Sequence, residues 1–270
     1  DIYNDYEGIH NLKTVNDQAG IAPVTVDARI LDLLLLCRDL YADSGGKVNA
    51  AMGSVLLLWH EAREESVHAP EHAYLPEEDA IQAALEHTSF DNVVLDEAAS
   101  TVYLTDPAQR LDVGAVAKGY AAGAVAAALP TGMVLSLGGN VCVTGPKPDG
   151  SPWVIGVQNP DGDDTEYVQR LDITSGAVVT SGDYQRYYTV DGVAYHHIID
   201  PDTGWPARHY RSVTVICADS GLADALSTAA FIMDEESGRT LLETYGAEAL
   251  WVYADGSASW TGGCDAYFHS

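Results

Sequence analysis

Basic residues are scarce in this chain. Thirteen Lys and Arg stand against forty Asp and Glu among 270 residues, a formal charge of -27. That balance excludes nucleic-acid binding through phosphates, which needs a basic patch. A solvated acidic surface is the plainest account of the excess. An anionic nucleotide would then need a local device: a metal ion, a helix N-terminus or backbone amides. Cysteines are few as well. Cys37, Cys142, Cys217 and Cys264 are far apart and form no C-x-x-C pair. Neither a zinc site nor a disulfide framework is indicated, and three of the four sit inside apolar runs as buried thiols do. Long apolar runs are missing too. The longest, such as Ile30 to Cys37, is broken by Asp32 and falls short of the roughly 18 residues that a membrane-spanning helix needs. The chain opens on Asp1-Ile2-Tyr3-Asn4 without an initiator Met or a signal peptide, and reads as a mature or excised form.

What is present suffices for a core, with 47% hydrophobic residues and neither an internal repeat nor a low-complexity linker. Apolar periodicity predicts a helix over Asp27 to Tyr41 that Gly45-Gly46 stops, a second over Gly53 to Ser66 and a third from Pro76 to about His87. Asn92 to Leu95 and Thr101 to Leu104 read as a hairpin. Ala115 to Leu129 reads as an alanine-rich helix. Met133 to Leu137, Val141 to Val143 and Trp153 to Gln158 read as short strands. Arg186 to Val190 and Val193 to Asp200 flank Asp191-Gly192, a tight-hairpin turn. Val213 to Cys217 reads as a buried strand, followed by a helix from Gly221 to Met233 and then by one more helix and strand. Strands and helices mix without strict βαβ alternation. The expectation is an α+β fold, mostly antiparallel sheet packed with helices.

Five segments carry chemistry. Asp112-Val113-Gly114, followed by a helix that carries Lys118, would aim helix-start amides and an ammonium at a phosphate. On this segment alone an ordinary cap and a surface lysine are the favoured account, because Asp-x-Gly before a helix is common. Ser136-Leu137-Gly138-Gly139-Asn140 sets paired glycines between strands, for a tight bend or for close backbone approach to a ligand. Thr180-Ser181-Gly182-Asp183-Tyr184 groups hydroxyls and a carboxylate, which turns also use. His196 and His197 are adjacent in a strand and so point to opposite faces, and one of them suits deprotonating a hydroxyl. Asp224, Ser227 and Thr228 share one helix face, as hard oxygens that suit Mg2+.

In this order, D-x-G-x-x-A-K-G-Y from Asp112, L-G-G-N from Leu137, T-S-G-D-Y from Thr180, H-H-I-I-D-P-x-T-G from His196 and D-A-L-S-T from Asp224 resemble the FAD:protein FMN transferases, the ApbE-like family. Gly45 to Trp59, with Leu58-Trp59, is similar to the family's early segment. The resemblance spans nearly the whole chain and implies one T-fold-like domain over residues 1–270, with FAD as substrate and Mg2+ as cofactor. It assigns the metal to Asp224, to Ser227 or Thr228, and to the backbone carbonyl of Ala115. It assigns flavin-nucleotide contacts to Asp112, Lys118, Ser181 and Ile198, and picks His197 over His196 as the base. It implies that FMN is joined through a phosphoester to a Ser or Thr of a partner flavoprotein or membrane redox subunit while AMP leaves. It implies an extracytoplasmic setting, with a lipid anchor conceivable in the full-length form. Family members usually carry a strand and a helix before the segment that matches Asp1 to Asn4, so the expectation is a domain without them and a weaker hold on the flavin ring. Two alternatives use the same residues: a Mg2+-dependent FAD pyrophosphatase, with water in place of the hydroxyl, and a flavin-binding protein without turnover.

Overall fold

The computed structural model describes residue 2, residues 4–163 and residues 165–270. Asp1 and Tyr3 of the opening tetrapeptide lie outside the described residues. In chain order the elements are α1 (Leu12–Asp17), β1 (Val24–Thr25), α2 (Ala28–Asp43), α3 (Gly53–His68), α4 (Glu78–Leu85), β2 (Val93–Asp96), β3 (Thr101–Leu104) and α5 (Ala117–Ala126). Then come β4 (Val134–Leu137), β5 (Asn140–Val143), β6 (Trp153–Gln158), β7 (Tyr167–Ile173), β8 (Gly176–Gly182), β9 (Tyr187–Val190) and β10 (Val193–His196). The series closes with β11 (Ser212–Cys217), α6 (Ser220–Ile232), α7 (Glu235–Thr244), β12 (Glu248–Val252) and β13 (Ala258–Trp260). All the strand pairings between these elements are antiparallel, as expected of this α+β chain.

The chain forms two compact units, Asp1–Gly114 with Arg186–Pro206, and Ala115–Gln185 with Ala207–Ser270. In the first, β1, β3 and β2 make a three-stranded sheet and β9 pairs with β10. Helix α2 starts where the Asp27 carboxylate accepts the Arg29 amide, and Gly45 and Gly46, both at positive φ, follow its end. Its core gathers Met52, Val55, Trp59, Ala62, Ile81, Tyr188 and Ile199. The Asp200 to Gly204 segment closes on itself, with the Gly204 amide donating to the Asp200 carbonyl at 2.8 Å. Trp59 Nε1 donates to the Gly204 carbonyl at 2.7 Å, and Lys47 Nζ reaches Asp200 at 2.7 Å and Asp202 at 2.8 Å. Gly204, at φ +72°, has Ile81 Cγ2 2.4 Å from where a Cβ would stand. The D-P-x-T-G stretch and the Trp of Leu58-Trp59 thus hold this unit together.

The second unit is built on a six-stranded sheet, β13-β12-β11-β8-β5-β4, with β6 and β7 as a separate ribbon. Alternation sorts its side chains. Val143, Val178, Ile216, Leu250 and Val252 share a core with Val157, Leu171 and Ile173 of the ribbon. On the opposite face Ser181 meets α6, and Trp251 Nε1 donates to the Ala230 carbonyl of α6. Eleven of the thirteen residues of α6 are buried, so this helix is the centre of the unit. Any polar group it carries must therefore find a partner.

Two of the boundaries that differ from the sequence reading bear on the site. The strand expected to reach Asp200 ends at His196: one more in-register bond follows, from the His197 amide to the Arg186 carbonyl, and then Ile199 pairs with Pro206 and the Asp200 amide donates to the Trp205 carbonyl instead. Helix α5 begins at Ala117 rather than Ala115, after a turn over residues 114–116.

Candidate functional site

The chemistry of the second unit converges on Asp224. Its carboxylate is 4% exposed in the middle of α6. Oδ2 accepts the Gly119 amide at 2.7 Å, and Oδ1 lies 4.0 Å from Lys118 Nζ. Gly119 is in the first turn of α5, where backbone N–H groups have no partner within the helix and the dipole is positive. Asp224 therefore caps α5 from a neighbouring helix, and one of the amides expected to face a phosphate is taken. Burial pushes its pKa up, against the pull of the Lys118 ammonium, the Gly119 amide and, less, the Asn140 amide. Gly119 is required by space, since a Cβ there would stand 2.1 Å from the Ser220 carbonyl oxygen and 2.6 Å from Asp224 Cβ.

The hydroxyls stand one turn further along α6. Ser227 Oγ, fully buried, donates to the Asp224 carbonyl at 2.9 Å and lies 2.8 Å from Ser181 Oγ on β8. Thr228 Oγ1 is half-buried and makes only two long contacts, 3.3 Å to the Asp224 carbonyl and 3.3 Å to Ser181 Oγ. Thr228 is thus the more available ligand of the two, and Ser227 ties helix to sheet. Ser181 joins this hydroxyl group rather than standing alone. Ala115 lies in the turn before α5, where a backbone carbonyl serves as an oxygen donor without any side-chain signature.

Asn140 completes the cluster, and site-residue reasoning passed over it. It is 1% exposed, and its Oδ1 accepts from Lys118 Nζ at 3.0 Å. Its Nδ2 meets no acceptor at hydrogen-bonding geometry among the described residues, although it lies near enough to the Asp224 carboxylate to draw that group's pKa down weakly. A buried, unpaired amide donor is costly unless a ligand or water meets it. The L-G-G-N motif was the available signal. The donor set of one buried carboxylate, a half-exposed hydroxyl, an ammonium and an orphaned amide suits Mg2+, which keeps waters and leans on substrate phosphates. Among the described residues no group of three or more His, Cys, Asp or Glu forms a self-contained metal cage.

In the first unit, Asp112 makes a local turn instead of capping α5. Its Oδ1 accepts the Gly114 amide at 2.7 Å, and its own amide donates to the Ala50 carbonyl at 2.8 Å. Burial raises its pKa, opposed by the Gly114 amide and by His60. The two histidines differ as alternation predicts: His196 is buried and His197 exposed. The Ile198 amide donates to His196 Nδ1 at 3.2 Å, so that lone pair is used. His197 Nδ1 lies 3.2 Å from the Arg186 carbonyl, which can only accept. The neutral His197 therefore carries its proton on Nδ1 and presents Nε2 as the basic nitrogen. Loss of solvation lowers its pKa to about 4, with a small opposing pull from the Arg186 carbonyl. The residue as a whole keeps contact with solvent, so its desolvation is partial, and both the ordinary and the lowered value leave it neutral at pH 7. Ile198 is a buried apolar side chain directly after it.

Asp183 of T-S-G-D-Y accepts from Arg211 Nε at 2.9 Å, an ion pair that Asp161 shares. That carboxylate braces β8 against β11 and leaves Ser181 as the chemical member of its motif.

With this geometry in place, the comparisons with known proteins fall into one group. The ApbE family model matches residues 1–251. A FAD:protein FMN transferase of Treponema pallidum is 35% identical over 264 residues, covering 90% of this chain and 71% of that protein. A FAD:protein FMN transferase of Klebsiella pneumoniae is 35% identical over 229 residues, covering 83% and 68%. The crystal structure of the ApbE protein of Thermotoga maritima superposes with a TM-score of 0.86 at 34% identity, over 96% of this chain and 84% of that one. The flavin transferase ApbE of Vibrio cholerae gives 0.79 at 26% identity, over 95% and 82%.

Proposed function

Since this chain belongs to the ApbE family, we propose that it is a flavin transferase that splits FAD and joins FMN through a phosphoester to a Ser or Thr of a partner flavoprotein. The observation that carries the reading is Asp224. A carboxylate buried in an apolar helix, held by the α5 amide and faced by Lys118, has no evident use in folding that a neutral residue would not serve better. It makes sense as a metal ligand beside phosphates.

Each residue then has a task. Lys118 supplies positive charge to the pyrophosphate, which a protein of net charge -27 would otherwise repel. Asn140 holds the Lys118 ammonium in place. Asp224 and Thr228, with the Ala115 carbonyl, would hold Mg2+. When bound, that ion would neutralise the pyrophosphate and the charge that grows on departing AMP. The acceptor oxygen bonds to the FMN-side phosphorus and the bond from that phosphorus to the AMP oxygen breaks. Family resemblance assigns the hydroxyl proton to His197, whose Nε2 is the basic nitrogen. Asp112 and Ile198 are assigned to the nucleotide by family resemblance, as is an extracytoplasmic setting.

The test is product analysis. Protein incubated with FAD, Mg2+ and a Thr-bearing acceptor should release AMP and leave FMN on the acceptor. FMN accumulating free in solution would replace the transferase reading with hydrolysis.

A further inference from the structure

The strand that leads into Asn140 is an open sheet edge. Met133 to Val143 contains no Asp, Glu, Lys or Arg, in a chain where 20% of residues are charged. Strand β4 ends the six-stranded sheet, pairs with β5 in unbroken register from Val134↔Val143 to Leu137↔Asn140, and contains no proline. Ser136, Leu137, Gly138 and Gly139 are all exposed. Gly138 and Gly139, at φ +56° and +94°, form the two-residue turn, and nothing lies within 4 Å of where their Cβ atoms would stand. Exposed edges are normally blunted by charge, proline, a bulge or a covering element, because unpaired N–H and C=O groups template another strand. Among the described residues β4 has no charge, proline or bulge, and although α5 packs against the strand, the outward amides of Val134 and Ser136 have no hydrogen-bond partner.

The outward groups can be named. The Thr144 amide donates to the Met133 carbonyl at 3.0 Å, so residues 133, 135 and 137 face β5. By alternation the amides and carbonyls of Val134 and Ser136 face outward. The hairpin they lead into delivers Asn140, and with it the Lys118 contact and the Asp224 cluster.

Resting on the transferase reading above, we propose that β4 is the docking edge for the acceptor: an extended, uncharged segment of the partner protein adds to β4 as a seventh strand. The occupant follows from continuity with the nucleotide cluster and from charge. The acceptor is a polypeptide that must bring a hydroxyl to this end of the sheet, and the edge beside that end is the uncharged strip of an acidic protein. Main-chain bonds supply affinity, and the side chain passing the Gly138-Gly139 turn supplies the hydroxyl. An added strand lies about 5 Å from β4 and about 10 Å from β5. The bare glycine turn keeps that interval clear of side chains.

The test uses the full chain, FAD, Mg2+ and a pool of short uncharged peptides, each with a single Thr. The best-labelled peptide is remade with backbone N-methyl groups on alternate residues, in both registers. One register should lose labelling about tenfold or more, the loss of one to two hydrogen bonds, while the other keeps it. Ser136→Pro removes only an outward N–H, and should raise the peptide KM by a similar factor with kcat nearly unchanged. Its ADP affinity and melting temperature should match the parent, showing that the fold and the nucleotide cluster survive. Labelling that ignores both N-methyl registers overturns the docking proposal and leaves the transferase reading intact. So does a parent dimer that Ser136→Pro converts to monomer with the peptide KM unmoved, for then a second copy occupies the edge. Splitting of FAD with no peptide labelled overturns the transferase reading, and the docking proposal falls with it.

Discussion

Gly119 and Asp224 are bound to each other at 2.7 Å, amide to carboxylate, across a helix crossing too close for any side chain at position 119. The contact does two things. It lets α5 and α6 meet backbone to side chain, and it fixes one oxygen of Asp224 so that the other faces Lys118.

Gly119→Ala should therefore fail through space. A Cβ 2.1 Å from the Ser220 carbonyl oxygen must push α5 off α6, at a cost of about 1–3 kcal/mol or more. Urea denaturation would show it, with Lys118 displaced and turnover reduced at the same time. A variant as stable and as active as the parent would contradict the packing described.

Asp224→Asn separates charge from shape. The amide oxygen can still accept from Gly119, and the variant no longer buries a charge. Because burial raises the folded pKa of Asp224, the native state binds its proton more readily than the unfolded chain. Its contribution to stability is thus greatest at low pH and declines as pH rises through the raised value. The Asn variant should melt at or above the parent temperature at pH 7, with a flatter dependence on pH. Mg2+-dependent turnover should be lost. Full activity in EDTA-treated parent protein would remove the metal assignment.

Much of this was legible beforehand, and what was not shares a cause. Helix α2, the β2–β3 hairpin and the Asp191-Gly192 turn are written in local periodicity and turn chemistry, and they stand where expected. Strand β7 was missed because Arg170 and Asp172 interrupt its apolar residues. The early end of β10 depends on Ile199 pairing with Pro206 instead of with β9, a partner that local alternation does not encode. In the site, Asp224, Ser227 and Thr228 were visible through helical spacing. Asn140 was not, because its importance comes from Lys118, 22 residues earlier. Nor could spacing choose between Ser227 and Thr228, which differ in exposure on a face set by β8.

His197 gives a pH signature. With its pKa lowered to about 4 it remains a free base well below pH 6.5. The acid limb of kcat/KM should therefore lie clearly below 6.5, and should vanish in His197→Ala along with roughly a hundredfold or more of the rate. His196→Ala should keep the limb. In stability the sign is set as well: between pH 6.5 and 4 the unfolded chain takes up a proton that native His197 refuses, so acid weakens the fold through this residue. A limb at or above 6.5, or equal losses from both substitutions, would contradict the assignment of Nε2 as the base.

The most direct measurement is mass spectrometry of the products formed in heavy-oxygen water, with FAD, Mg2+ and a Thr-bearing acceptor. If the acceptor hydroxyl attacks the FMN-side phosphorus, AMP and FMN-bearing acceptor appear in equal amounts. The acceptor gains the mass of FMN less one water, and neither product contains solvent oxygen. Free FMN carrying one heavy oxygen, with the acceptor unchanged, would show that water is the nucleophile and that this chain does not transfer flavin.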